Sequence, residues 1–246
     1  MNQWIWNGKV DCDWNDLSHM LIDSSEDFTT TMLETTKFSM NEKSKELISS
    51  ESMERFKNIT SLLANNIKCS DENTCENGLN EAIKLNCWIV LGSITETCLQ
   101  IFQAFYLDNY KDTKWQQWEN FDKDNIKEKI TDYIQSLVDD GFLEQGYARS
   151  LKNSIKDTIK NHTIEHQVEK IMLNELIQLY DSLDLLEEDE LNSLKTIQAN
   201  RNGIHSFQNR SIGSWEELKY SIRFFCYLLE WIIYHLPDIP EEEYYY

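Results

Sequence analysis

The sequence predicts an all-α protein, a helical bundle of long antiparallel helices, and three observations predict it. Breakers are scarce: the 246 residues include seven Gly and two Pro, both prolines within the last ten positions. That removes the punctuation a turn-rich β architecture requires. Apolar residues recur at three- and four-residue steps rather than in alternation, most clearly from Ile83 to Phe105. Hydrophobic residues make up 41% of the chain and aromatics 12%, enough for a substantial core in one large helical domain or two smaller ones.

Taken in order, Trp4, Trp6 and Trp14 stand in an N-terminal arm that packs on the body or on a partner. A Thr- and Ser-rich helix follows over Asp16 to Ser39, with Leu17, Met20, Leu21, Phe28, Met32 and Leu33 as its inner positions. Residues 40–52 form a loop or short helix, and Met53 to Asn66 the next helix. The polar run from Cys69 to Asn77 marks a boundary after an N-terminal helical region, residues 1–76. Beyond it, Ile83, Cys87, Val90, Leu91, Ile94, Cys98, Ile101, Phe102 and Phe105 define a helix that is apolar around most of its circumference. Such a helix is central to a bundle or lies in an oligomer interface. Glu96 interrupts it, facing solvent or pairing with an arginine in the core.

Residues 106–121 connect, with Tyr110, Trp115, Trp118 and Phe121 among charges. Ile126, Ile130, Ile134 and Leu137 mark a helix that stops at Asp140-Gly141, and Leu151, Ile155 and Ile159 mark another. The pattern resumes from Ile164 to Leu179, and again from Leu185 to Ile197. Ser214-Trp215-Glu216-Glu217 has the form of a capping box and opens the last helix, with Leu218, Ile222, Phe225, Leu229, Ile232 and Ile233 inside. Residues 237–246, PDIPEEEYYY, form an acidic and aromatic tail that its prolines keep from being helix.

Charge and cysteines bound the function. With 43 acidic against 23 basic side chains the formal charge is −20, so general electrostatic attraction to nucleic acid is excluded and any such contact must be local. The same charge fits a basic partner, or an acidic mimic of nucleic acid whose binding would be steeply salt-dependent. None of the six cysteines forms a CxxC pair or a zinc-spaced quartet, and Cys87, Cys98 and Cys226 fall in apolar helical patterns as small core residues. His162 and His166 have the spacing of two ligands on one helix but lack the HExxH order, and a solvated face is the expectation. No metal and no cofactor is expected. The N-terminus has no signal-peptide form, and the apolar stretch near 221–236 is interrupted by Arg223 and Glu230 and too short to span a bilayer. Cytoplasm without membrane association is therefore the expectation.

Chemistry concentrates in residues 191–215. The chain has five arginines, Arg55, Arg149, Arg201, Arg210 and Arg223, and the last three fall in or shortly after this stretch. If the preceding helix continues through Arg201, then Arg201 and His205 share a face one turn apart, with Asn202 placed to orient either. A guanidinium fork binds two phosphoryl oxygens, and an imidazole exchanges protons near neutral pH. The same residues also read as a helix end: Asn202-Gly203 is a turn dipeptide, and a cation at Arg201 suits the C-terminal carbonyls.

Arg201-Asn202-Gly203-Ile204-His205 resembles the active motif of the HEPN superfamily, α-helical domains of prokaryotic toxins and defence ribonucleases. Its spacer is shorter than in the better-known forms. Leu91-Gly92-Ser93-Ile94-Thr95-Glu96 resembles the small-residue and Glu segment that faces that motif from an earlier helix. The resemblance implies a HEPN-like helical bundle over residues 77–236 and a metal-independent endoribonuclease acting as a toxin or antiviral-defence effector. It assigns catalysis to Arg201, Asn202 and His205, with Glu96, Arg210 and Arg223 supporting them or binding RNA. It further implies a homodimer, its interface drawn from the apolar helices at 83–106 and 215–236, and a partner or antitoxin that restrains it. The alternative is a non-catalytic helical interaction module of such a system.

Overall fold

The computed structural model describes residues 12–38, 42–68, 77–107, 123–161, 168–204 and 212–237. Among these residues the regular structure is helical throughout, which establishes the all-α class. The helices are α1 (Trp14–Phe38), α2 (Glu42–Leu47), α3 (Ser50–Lys68), α4 (Asn77–Phe105), α5 (Lys123–Asp139), α6 (Gln145–Asn161), α7 (Leu173–Ser182), α8 (Glu188–Arg201) and α9 (Trp215–Tyr234). Single 3-10 turns occupy Val168–Lys170 and Asn202–Ile204. Packing divides the chain into two units, Met1–Tyr106 with Val168–Tyr246, and Leu107–Gln167.

This division corrects the boundary expected near residue 76. α1 and α3 pack on each other, α1 also packs on α9, and α3 on α4. The N-terminal helices are therefore part of the main core rather than a region set before it. The polar run at 69–77 reports a change of direction, which sequence composition does not distinguish from a domain boundary. Edge-on contact of Trp14 with Trp215, ring centroids 5.6 Å apart, pins the start of α1 to the start of α9. Lys219 Nζ lies 5.2 Å from the centre of the Trp14 ring.

α4 is the element that α2, α3, α7, α8 and α9 all contact, as its nearly all-round apolar surface requires. Cys87, Trp88, Leu91, Cys98 and Leu99 are fully buried, and Ile94 nearly so. From α9, Ile222, Phe224, Phe225, Leu228, Leu229 and Ile232 are equally enclosed. Most of the apolar surface of these two helices is thus covered by the chain's own helices, while Leu79, Tyr220 and Tyr234 stay exposed. α4 is also the one described segment long and apolar enough to cross a membrane: within Leu79–Phe105 an 18-residue window reaches mean hydropathy 1.3, and 61% of that window is buried inside the fold. One such buried helix does not indicate a membrane protein; the stretch at 221–236 does not reach this threshold.

Ser214 caps α9 as its sequence predicts: its hydroxyl accepts the Glu217 N–H at 3.1 Å, and the Glu217 carboxylate accepts the Ser214 N–H at 2.7 Å. In the second unit, α5 and α6 form a helical hairpin. α5 stops at Gly141, whose φ of 77° lies in the left-handed region. There Phe142 N–H reaches Leu137 C=O and Gly141 N–H reaches Val138 C=O, the paired bonds of a Schellman end. Ile134 and Ala148 are its buried apolar residues, while Tyr133, Phe142 and Tyr147 are exposed.

Candidate functional site

The site is built on a polar strip of α4. Gly92, Glu96 and Gln100 follow one another at four-residue steps and so lie along one face. That face receives the end of α8 and the beginning of α7. Gln100 Nε2 donates to the Ile171 carbonyl at 2.8 Å, and Glu96 Oε2 accepts the Leu173 N–H at 2.7 Å. Leu173 opens α7, and its N–H is one of the donors a helix start leaves without an internal partner. A carboxylate there also meets the positive end of the helix dipole.

Arg201, the last α-helical residue of α8, closes on the same carboxylate with both prongs of its fork. Its Nη1 is 2.6 Å from Glu96 Oε2 and its Nη2 3.3 Å from Oε1. The Arg201 side chain is 29% exposed and that of Glu96 21%, so water screens the pair only in part. To reach Glu96 the arginine stem crosses Gly92. A Cβ added there would stand 2.5 Å from Arg201 Cδ, 2.8 Å from Cβ and 2.9 Å from Cγ. Real Cβ atoms do not approach so closely, so α4 and α8 can sit as they do only over a glycine. Of the two expectations for Glu96, the pairing with an arginine is the one found, across 105 positions of sequence.

Two further contacts fix where the chain goes after Arg201. Asn200 Oδ1 accepts the Gly213 N–H at 2.6 Å, while its amide nitrogen donates to the Thr196 carbonyl. A Cβ on Gly213 would meet Asn200 Oδ1 at 2.9 Å and Trp88 at 3.0 Å. Gly203 lies beside Ile212, with 3.6 Å between an added Cβ and Ile212 Cγ1. The described chain therefore ends after Arg201 and resumes at Ile212 at adjoining points, Gly203 beside Ile212 and Asn200 beside Gly213. His205 and Arg210 belong to the intervening segment and lie outside the described residues, as do His162, His166, Cys69, Cys75, Trp4, Trp6 and all of the tail after residue 237.

The helix does continue through Arg201, and a 3-10 turn follows at Asn202–Ile204; His205, the other half of the shared-face expectation, lies beyond the described residues. Arg223 lies on α9, two turns along from Trp215, and its charge lowers the pKa of Cys12 and of Tyr220 against the larger upward push of their burial. Asn202 is exposed at the α8 end, next to Arg201. Gly203 is not a left-handed cap, since among the described glycines only Gly141 has positive φ. Gly203→Ala is accordingly expected to be neutral or to stabilise by up to about 1 kcal/mol through the unfolded chain; a loss above about 1 kcal/mol in urea unfolding would refute that geometry.

Sequence reasoning missed Gln100 and Asn200. The four-residue continuation from Gly92 through Glu96 to Gln100 was available as a signal; Asn200, whose partner is a backbone N–H, offered none. No group of His, Cys, Asp and Glu among the described residues is arranged to hold a metal ion. No family model matches the chain, and no curated protein and no solved structure does either.

Proposed function

We propose that the chain is a HEPN-like, metal-independent endoribonuclease that acts in the cytoplasm as a toxin or antiviral-defence effector, as a homodimer or under the restraint of a protein partner. One observation carries the reading: the Gly92–Glu96 segment and Arg201, singled out separately in the sequence, meet through a two-pronged ion pair over a glycine. Glu96 holds the guanidinium in place and leaves its remaining N–H donors for a phosphate. Arg201 stabilises charge developing on phosphorus as the ribose 2′-hydroxyl attacks. His205, four residues on, moves the proton as general base or acid, and Asn202 holds the substrate or the histidine. Arg210, in the same segment as His205, contacts the RNA backbone.

A second reading, a non-catalytic interaction module, is favoured by the same ion pair. Glu96 offsets the charge of Arg201 and at the same time ties α4, α7 and α8 together, which is what a purely structural pair does. Cleavage of total and tRNA-sized RNA in EDTA separates the two. The nuclease reading expects cleavage by the wild type, loss of about two or more orders of magnitude in His205→Ala, and loss in Arg201→Lys, which keeps a charge without the fork. A folded wild type that stays inactive with its partner present leaves the interaction module.

A further inference from the structure

We propose that the hairpin of α5 and α6 is a self-association element, through which two copies of the chain pair face to face into a four-helix bundle. This surface is separate from α4 and α9, and the proposal does not rest on the ribonuclease reading. Two helices alone enclose little. Of the described apolar side chains of α5 and α6, only Ile134 and Ala148 are buried, while Phe142 in the turn is 81% exposed, Tyr147 68%, Tyr133 65% and Leu151 45%.

The exposed residues form a strip on one side of the hairpin. Lys152 Nζ donates to Gln135 Oε1 at 3.1 Å, which marks the opposite side and sets residue 135 level with residue 152. At the α-helical repeat, Ile126, Ile130, Tyr133 and Leu137 then run along the near side of α5, and Tyr147, Leu151 and Ile155 along the near side of α6. Glu128, Asp132 and Asp139 of α5 fall on the Gln135 side, as do Arg149, Lys152 and Lys156 of α6. Charge is thereby kept off the strip.

Charge also decides what covers it. Between residues 123 and 161 the chain has seven acidic and seven basic side chains, so the formal charge of −20 lies outside this stretch. Two copies repel each other over most of their sequence and least here. A neutral stretch gives RNA or an anionic membrane no such preference. The edges of the strip are complementary as well. Lys129 stands on the outer edge of α5 and Asp157 on the outer edge of α6, at the same level of the hairpin. Among the described residues neither has an ion-pair partner in its own chain.

A two-fold axis parallel to the helices lays α5 of one copy over α6 of the other, with both turns pointing the same way, and sets Lys129 beside Asp157 of the second copy at two equivalent places. Placing α5 over α5 would set like edges together instead. Ser136, Ser150 and Ser154, also toward the outer edges, are short and uncharged and admit a neighbouring helix. A face about 25 Å long and about 20 Å wide offers roughly 500 Å² per copy, at the low end for a specific interface. A micromolar dimer is the expectation.

The test is sedimentation velocity of the full chain across the micromolar range at physiological ionic strength, where a concentration-dependent dimer is expected. Leu151→Glu, at an exposed position, should abolish it and leave the helical circular dichroism unchanged. Lys129→Glu and Asp157→Lys should each weaken it about tenfold, because two attractions become repulsions, and the double variant should restore it. That rescue is specific, since the two residues stand on opposite edges of one hairpin. A chain that stays monomeric, a dimer indifferent to Leu151→Glu, or charge reversals without rescue would overturn the proposal. A monomer that sediments with phosphatidylserine vesicles or tRNA-sized RNA, and loses this in Leu151→Glu, would overturn it too and assign the strip to that occupant.

Discussion

Gly92→Ala is expected to destabilise the protein by about 2–4 kcal/mol, a large effect for one methyl group. Overpacking a tight contact costs about 1–3 kcal/mol, and here the atoms that must move are the Arg201 stem, so the ion pair with Glu96 is disturbed as well. The pair is partly screened by water, which places its share nearer 1 kcal/mol than the several expected of a fully enclosed one. Urea unfolding should show a lower midpoint at constant slope. The mechanism has its own signature. In an Arg201→Ala background the crowding by Cγ and Cδ disappears and that by Cβ remains, so the two substitutions should be coupled by about 0.5–3 kcal/mol. Additive effects would mean that α4 and α8 do not meet over Gly92.

Raising the pH should unfold the protein well before its surface charge would predict. Burial pushes the Cys226 thiol from 9.0 up to about 12. Burial raises the Cys98 thiol further, and raises Tyr180, a fully enclosed phenol. Tyr227 is raised by burial and by its 2.6 Å hydrogen bond to the buried Glu190 carboxylate. In each case the folded protein holds the proton more tightly than the unfolded chain. Their contribution is therefore complete below about pH 9, and it falls as the unfolded chain releases protons the folded one keeps. Cys226 alone accounts for about 4 kcal/mol by pH 12. Melting temperatures measured from pH 8 to 11 should fall steeply in the upper half of that window, less so in Cys226→Ala. A flat profile would show that these groups are not enclosed as described.

The helices were legible because a 3.6-residue period leaves a mark in one segment at a time. Leu17, Leu21, Phe28 and Met32, and later Leu218, Ile222, Phe225 and Leu229, were inner positions in the sequence and are buried in the fold. The Ser214 cap and the Gly141 stop were legible for the same reason, since both are local chemistry. The candidate site was legible only in pieces. Spacing put Gly92 and Glu96 on one face of α4, but which arginine would arrive there depends on how two helices rotate about their axes, and no local pattern records that. Arg223 shows the difference: it follows the motif on α9, where Cys12 and Tyr220 lie within its electrostatic reach. The boundary near residue 76 failed because a polar run means exposed chain, and exposed chain connects helices within a core as readily as it separates domains.

The packing of α1 on α9 has a consequence for how the protein is made. Leu17, Leu21 and Phe28 are synthesised long before one of the two helices that cover them, which begins at Trp215. At usual elongation speeds of roughly 5–20 residues per second, that leaves an apolar face waiting about 10–40 s for its cover. A nascent chain cut before α9 keeps that face open and becomes work for chaperones and proteases. Synthesis of α9 is thus a checkpoint written into the topology: the core cannot close before it.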